Sequence, residues 1–480
     1  MTRFDQVSSI YLVGIGGTAM GSFAGLLRAA GYAVRGSDEN VYPPMSDQLQ
    51  TWGISYAQGY RAENLDPVAD LVVVGNVIKA TNPEAARARS EGLNQASFPE
   101  ALGALFLEQR HSVVVAGTHG KTTTSTLIAH TLRAAGRDPS YLIGGVPQDG
   151  GESFRLGAGT HFVVEGDEYD TVYWDKVPKF IYYRPRTAVI TSVEFDHADI
   201  YADLAAVERA FERLVALVPE DGLLVCAAHH DRVAAVAARA RCRVRTYGPG
   251  QQLTATDVAE DAAGLRLTVC DGDRPLGPVQ VALSGGHGVE NALAAYAVCQ
   301  HLGLDHAAIA HGFAAFGGVK RRLEVRGSAR GVTVVDDFAH HPTAVRVTLA
   351  GARQRFAGRR LWALFEPRSA TSARRVFQDD FVLAFDAADQ VIIARSGRKG
   401  QLAADQSLDE SALTTAIAAR GKPARYYESV DAIVAAVVAE ARPDDVVICM
   451  SNGAFGGIHQ KLLAALAVAS DDQRSQKPTT

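Results

Sequence analysis

The sequence predicts an α/β protein of three domains: a Rossmann-like N-terminal domain, a P-loop-type central ATPase domain with a β-rich excursion, and a doubly wound C-terminal domain. Three observations carry this reading. Short apolar, β-branched runs alternate with Ala-rich helical stretches. Two of those runs end in glycine-bearing turns that open helices, after Val13 and after Ala116. At 480 residues and 47% hydrophobic content the chain is too long for one core and fits about three domains of ~150 residues. Boundaries are predicted at 1–108, 109–326 and 327–468, with a polar, flexible tail at 469–480.

In the first domain, Ile10-Tyr11-Leu12-Val13 reads as a strand, followed by Gly14-Ile15-Gly16-Gly17-Thr18-Ala19 and a helix through Ala30. Ala33-Val34-Arg35 is the next strand, with Asp38 beyond it in a Gly-Ser-Asp turn. Leu71–Val74 is a buried strand that stops at Gly75-Asn76. A Gly-x-Gly-x-x-Ala turn followed by an acid about 20 residues later is a dinucleotide-type fingerprint. Close helix–strand packing also explains the glycines, and turn formation also explains Asp38.

The second domain starts with Val113–Ala116, which runs into Gly117-Thr118-His119-Gly120-Lys121-Thr122-Thr123 and a helix expected over Ser125–Ala134. Free backbone N–H groups of such a turn and the positive helix end surround an anion. Lys121 can reach phosphate oxygens, and the Thr122 hydroxyl can ligate Mg2+. Val115 stands where the longer P-loop has glycine, which leaves the shorter Gly-x-x-Gly-Lys-Thr. Two further strands end at Glu165 (His161–Val164) and near Glu194 (Thr187–Thr191), the second followed by Asp196-His197-Ala198-Asp199. Parallel sheets gather ligands at the carboxyl ends of their strands, so Lys121, Thr122, Glu165 and His197 are expected to meet. Glu165 is a candidate Mg2+ ligand, and His197 a candidate for a second ion or a phosphate. The remaining acids of Glu165-Gly166-Asp167-Glu168-Tyr169-Asp170 read as a solvated loop.

Residues 222–285 form the predicted β-rich excursion, before a helix over Val289–Leu302. Gly286–Asn291 opens that helix and offers either an amide for adenine or a polar cap. Arg321-Arg322 lies at the next junction, where an arginine reaching across a cleft suits a transferring phosphoryl group and a basic linker is the plainer reading. The third domain is built on Val334-Val335, Leu361–Phe365, Gln390–Ala394 and Val446–Met450. Asp336–Pro342 follows the first of these. His340 and His341 would point to opposite faces of extended chain, so at most one is expected to act. Glu366-Pro367-Arg368-Ser369 and Ser451–Gly457 follow two others and are candidates for gripping a carboxylate-bearing substrate.

Composition narrows the function. A net charge of −5 argues against a nucleic-acid-binding face. Five scattered cysteines without Cys-x-x-Cys spacing favour reduced thiols. No apolar run approaches membrane-spanning length and the first residues are polar, which predicts a soluble, cytoplasmic protein with no membrane partner. The oligomeric state stays open.

Together, Gly117–Thr123, Glu165, Asp196-His197, His287 with Asn291, Arg321-Arg322 and Asp337–Pro342 resemble, in order and spacing, the Mur ligases, which build the peptide stem of bacterial cell-wall precursors. The resemblance implies a three-domain, ADP-forming amide ligase that uses ATP and two Mg2+ ions. It implies Gly117, Thr118, His119, Gly120, Lys121, Thr122, Thr123, Asn291, Arg322 and Asp337 at ATP, with Asn291 at adenine and Asp337 at ribose. It implies Thr122, Glu165 and His197 as metal ligands, and Lys121, Glu165, His197 and Arg322 as the catalytic set. Gly16, Gly17, Thr18, Asp38 and Asn76 would hold a UDP-sugar; His340, Arg368, Ser369, Asn452 and His459 would meet the incoming peptide.

Within the family, Asn40–Ser46, Tyr182–Arg186, Glu366–Ser369 and Ser451–Gln460 resemble members that join UDP-N-acetylmuramate to the recycled tripeptide L-alanyl-γ-D-glutamyl-meso-diaminopimelate. The rival is a sibling that adds L-alanine alone; a nicotinamide dehydrogenase and a nucleotide-dependent switch are more distant alternatives. Two departures from the family pattern stand out. Gly288 replaces an adenine-facing asparagine, and Glu212-Arg213 occupies the region where some relatives carry a carbamylated lysine, so no lysine carbamate is expected.

Overall fold

The computed structural model describes residues 3–198, 200–261, 263–397, 402–403 and 405–475. The strands β1 (Ser9–Val13), β2 (Ala33–Asp38), β3 (Ser55–Gln58), β4 (Leu71–Val74) and β5 (Gln95–Ser97) form a parallel sheet in the order β3-β2-β1-β4-β5. β1 is central, so its alternate residues bury on both faces: Ile10 and Leu12 pack beneath the Thr18–Ala29 helix, Tyr11 and Val13 on the other side. Asp38 is the last residue of β2, not part of a separate turn as expected, and thus faces the glycine turn after β1.

The central region contains β6 (His111–Ala116), β7 (Ser140–Leu142), β8 (Phe154–Arg155), β9 (His161–Gly166), β10 (Asp170–Val172), β11 (Asp175–Pro178), β12 (Thr187–Ile190), β13 (Leu223–Cys226), β14 (Arg243–Thr246), β15 (Leu253–Asp261), β16 (Gly264–Asp271) and β17 (Arg274–Val281). Seven of them form one sheet in the order β14-β13-β12-β6-β9-β7-β8. The β-rich excursion is therefore shorter than expected. β13 and β14 extend the main sheet in parallel, and only β15–β17 form a separate antiparallel meander. The four buried residues of β13 explain the difference, since Leu223–Cys226 need cover on both faces.

The third sheet uses β18 (Glu324–Ala329), β19 (Val332–Asp337), β20 (Leu361–Phe365), β21 (Gln390–Ala394), β22 (Ala424–Tyr427) and β23 (Val446–Met450) in the order β18-β19-β23-β20-β21-β22. β18 is antiparallel to β19; the other pairs are parallel. Helices cover both faces, as in other doubly wound sheets. The last helix, Ile458–Ser475, continues into the stretch expected to fray. All five cysteines are unpaired, and no described helix is long and apolar enough to cross a membrane.

Candidate active site

β12, β6 and β9 are adjacent and parallel, so their carboxyl ends open on one edge of the sheet. After β6 the chain turns through Gly117 (φ +134°) and Gly120 (φ +82°) into a helix over Lys121–Ala134, four residues earlier than expected. Only glycine fits at either position. A Cβ on Gly117 would lie 2.0 Å from Thr191 Oγ1, and one on Gly120 would lie 2.6 Å from Asn291 Oδ1. The turn is not wholly open, contrary to expectation: the Thr118 and His119 amides already donate to Ser192 O (3.1 Å) and Ser192 Oγ (2.9 Å). The amides of Gly120, Lys121, Thr122 and Thr123 precede the first helical bond, from Thr124 N–H to Gly120 O (3.0 Å), the kind of helix start that can receive an anion.

Lys121 Nζ donates to Gly117 O at 2.7 Å and lies 3.0 and 3.2 Å from the two oxygens of Glu168. Burial disfavours the ammonium, but Glu168 and Asp167 outweigh it and hold its pKa up at about 12. The Thr122 hydroxyl donates to Glu165 Oε2 at 3.1 Å, and the Gly144 amide donates to the other oxygen. Desolvation raises the Glu165 pKa, with Lys121 and the Gly144 amide acting against it. A carboxylate under that strain beside a hydroxyl is a good partial shell for a hard cation, which commonly takes one or two protein carboxylates and completes its coordination with phosphate oxygens and water.

Glu168 corrects the reading of residues 165–170 as a solvated run: it is 2% exposed and joins Lys121 to His197, whose Nε2 is 3.4 Å from Glu168 Oε1. Burial lowers the His197 pKa, but the hydrogen bond and charge of Glu168 raise it overall. The expected metal set of Thr122, Glu165 and His197 thus divides. Thr122 bonds Glu165, whereas His197 pairs with Glu168. Asp167 also leaves the solvated class, since Lys179 Nζ binds it at 3.0 Å. Asp199 falls outside the described residues.

His197 sits in a left-handed turn (φ +53°), and its N–H is shared between Asp196 Oδ1 (2.6 Å) and Thr371 Oγ1 (3.3 Å). Thr371 belongs to the C-terminal region and also donates to Asp196. Nearby, His341 Nε2 meets Phe195 O (3.2 Å), and Thr343 Oγ1 donates to Glu194 Oε2 at 2.7 Å. The His119 ring lies 4.9 Å from that of His341, and its Nε2 is 3.5 Å from Glu194. The loop after β12 is therefore fastened to the C-terminal domain at several points. No short motif announced these contacts, because the partners lie more than 140 residues apart in sequence.

Asn291 lies behind the phosphate turn, where its Oδ1 accepts from the Thr124 hydroxyl at 3.2 Å. Arg321 and Arg322 both lie over the Phe338 ring, at 5.0 and 5.3 Å. Arg321 also donates to Ser451 O and Gly453 O, which ties the interdomain connection to the β23 loop. Asp336 and Asp337 face opposite sides of β19. Asp337 accepts from Leu323 N (2.8 Å), Ala339 N (2.8 Å) and Thr348 Oγ1 (3.2 Å) on one face. Asp336 approaches His459 Nε2 (3.3 Å) and Arg321 on the other. His459, expected at the peptide, is thus turned toward Asp336.

The other expected peptide contacts share the carboxyl edge of this sheet. His340 Nδ1 donates to Phe338 O at 3.0 Å. Arg368 lies against Gly397 and Gly453, where a Cβ on Gly453 would meet its guanidinium. Ser369 bonds Ser372, and Asn452 Oδ1 is shielded without a hydrogen-bond partner. Beside them is a cavity of about 340 Å³ lined by Glu366, Ser396, Gly397, Glu428, Ser429 and Phe455, among others. In the N-terminal domain, Asp38 Oδ2 accepts from Gly16 N at 2.8 Å, while Gly17 caps the helix that Thr18 begins. Asn76 follows β4 on the same edge. Glu212, at the position considered for a modified lysine, approaches Arg239 at 3.5 Å.

Three family models match the chain: "Mur ligase family, catalytic domain" over residues 9–110, "Mur ligase middle domain" over 115–299, and "Mur ligase, glutamate ligase domain" over 321–453. The UDP-N-acetylmuramate–L-alanyl-gamma-D-glutamyl-meso-2,6-diaminoheptandioate ligase of Escherichia coli K12 is 39% identical, over 95% of this chain and 98% of its own length. The UDP-N-acetylmuramate–L-alanine ligase of Desulfosudis oleivorans is 34% identical, over 95% and 98%. A crystal structure of a murein peptide ligase from Psychrobacter arcticus 273-4 superposes with a TM-score of 0.74 at 36% identity, covering 96% of this chain and 99% of that one. With that likeness running from end to end, and the nucleotide-type strand edge in place, the chain belongs to the Mur ligase family.

Proposed function

We propose that this protein joins UDP-N-acetylmuramate to L-alanyl-γ-D-glutamyl-meso-diaminopimelate in the cytoplasm, with ATP cleaved to ADP and phosphate, in the recycling of peptidoglycan. The observation that carries the chemistry is a pair of contacts at three neighbouring strand ends: Glu168 joins Lys121 to His197, and Thr122 bonds Glu165. The tripeptide assignment is supported by likeness, over 95% of this chain, to two ligases whose names carry that peptide.

A carboxylate is a poor acylating agent, so it first takes the γ-phosphoryl group and becomes an acyl phosphate. The peptide amine then attacks the acyl carbon and phosphate leaves. Such a transfer depends on positioning and charge neutralisation. In this reading the Gly117–Thr123 turn and Lys121 hold the phosphates, and Arg322 approaches from the domain junction. Asn291, bonded to Thr124, and Asp337, whose carboxylate is taken by Leu323, Ala339 and Thr348, brace the site instead of meeting adenine and ribose as expected. Thr122 with Glu165, and His197 with Glu168, provide places for two Mg2+ ions. When bound, Mg2+ supplies charge neutralisation to the phosphates. Gly16, Gly17, Thr18, Asp38 and Asn76 hold the UDP-sugar, while His340, Arg368, Ser369 and Asn452 meet the peptide. His459 reaches the loop after β23 only through Asp336 and Arg321. Closure of the C-terminal domain, already joined to the 194–197 loop through Thr371 and His341, over the bound substrates would shelter the anhydride from water.

The test is an assay with ATP, Mg2+, UDP-N-acetylmuramate and either the tripeptide or L-alanine, read by phosphate release and product mass. The tripeptide should give product. Product from L-alanine alone would overturn the substrate assignment.

A further inference from the structure

The loop after β13 places two consecutive histidines, His229 and His230, against Glu290 on the Gly285–His301 helix. His229 Nε2 lies 3.1 Å from one carboxylate oxygen, and His230 Nε2 lies 3.6 Å from the other. Each residue offers one ligand atom, and all three lie within 4.8 Å of one another. The His229 ring is locked in place. Its Nδ1 faces Tyr247 O at 3.4 Å, and the ring fills the space over Gly248, where a Cβ would come within 2.3 Å.

A carbonyl oxygen only accepts, so Nδ1 is the donor toward Tyr247 O, and Nε2 is the ring nitrogen turned to Glu290. Nε2 and the carboxylate oxygen stand 3.1 Å apart, a separation that either a ring proton or a shared cation spans. A backbone carbonyl on the far nitrogen is also the usual outer partner that orients a metal-binding imidazole. The side chains of His229, Glu290 and His230 are 15%, 30% and 49% exposed, so an ion can enter and retain water in an open position.

We propose that His229, His230 and Glu290 form a binding site for a divalent transition-metal ion of the Zn2+ class. Two imidazoles and one carboxylate suit Zn2+ or Co2+ over Mg2+, which prefers oxygen donors. The site is therefore chemically distinct from the Thr122–Glu165 pair. An ion there ties the loop after β13 to the helix whose next residue, Asn291, backs the phosphate turn. In the other His/Glu group among the described residues, His119–Glu194–His341, Glu194 accepts from Thr343 and His341 Nε2 meets the Phe195 carbonyl.

Calorimetric titration of the full chain with ZnCl2, in excess Mg2+, should show one equivalent bound. CoCl2 should give the visible absorption of a four-coordinate ion, displaced by Zn2+. H229A and E290Q should each weaken Zn2+ binding at least about tenfold, while H119A leaves it unchanged. The proposal is overturned if the native protein gives neither binding nor the cobalt spectrum, in which case a proton alone occupies the site. It is equally overturned if H229A and E290Q, shown folded by circular dichroism, bind Zn2+ with native affinity. The cobalt spectrum of the native protein decides even where a variant does not fold.

Discussion

Glu168→Gln isolates the contribution of an acid that sits between Lys121 and the imidazole of His197. Lys121 Nζ lies 3.0 Å from Glu168, and the two side chains are only 13% and 3% exposed, so solvent screens little of their attraction. The amide keeps the shape of the carboxylate but removes its charge. Asp167, 4.0 Å away, becomes the nearest remaining carboxylate. Breaking a buried pair by removing one partner costs about 3–5 kcal/mol. Gly117 O and Asp167 retain part of the ammonium's stabilisation, which leaves a loss of about 2–3 kcal/mol. At 1.36 kcal/mol per decade, that is a fall of roughly 30- to 150-fold in kcat/KM for ATP. The assay is phosphate release at saturating UDP-N-acetylmuramate and tripeptide, with E168D as the variant that keeps the charge. UDP-sugar binding, measured separately, should be unchanged. A fall of less than about threefold in E168Q, with the protein folded, would refute the assignment of Glu168 to the positioning of Lys121 and His197.

Lys121→Ala should abolish ligation while binding of the UDP-sugar to the N-terminal domain stays close to native; equal loss of both would contradict the separation of the two sites. Arg368→Ala should raise the KM for the peptide about tenfold or more, as expected for loss of a charge-assisted hydrogen bond, with little change in the KM for ATP. Burial, and secondarily His119, lowers the His341 pKa from 6.5 to about 4. A histidine whose folded pKa is depressed contributes stability above pH 6.5 that is lost as the pH falls toward 4, up to about 3 kcal/mol. Thermal unfolding between pH 7 and 4 should therefore fall less steeply in H341Q than in the native protein, and equal slopes would remove His341 from the interface argument.

Much of this architecture is local information. β6 and β12 are apolar, β-branched runs long enough for one strand each, and buried parallel strands require that composition. The phosphate turn was legible because Gly117, Gly120, Lys121 and Thr122 must stand at fixed offsets for backbone amides and a helix end to face an anion. Asp38 was legible as an acid but not as the last residue of β2. Its placement depends on parallel pairing with β3, a strand with little apolar signal of its own.

The fate of each polar side chain was decided by distant parts of the chain. Glu168 looks in sequence like one member of an acidic run, and it is buried only because Lys121, 47 residues away, and His197 converge on it. His197 and Thr371 stand 174 residues apart and meet through a backbone N–H and a hydroxyl. Asp336 and Asp337 are neighbours of one type, yet strand alternation sends one to His459 and the other to Thr348. Sequence by itself therefore determined the strands, the turns and the nucleotide-type edge, since backbone propensity and glycine conformation act over a few residues. Only the tertiary structure decided which carboxylates and imidazoles face one another, because desolvation and charge pairing depend on groups that folding alone brings together.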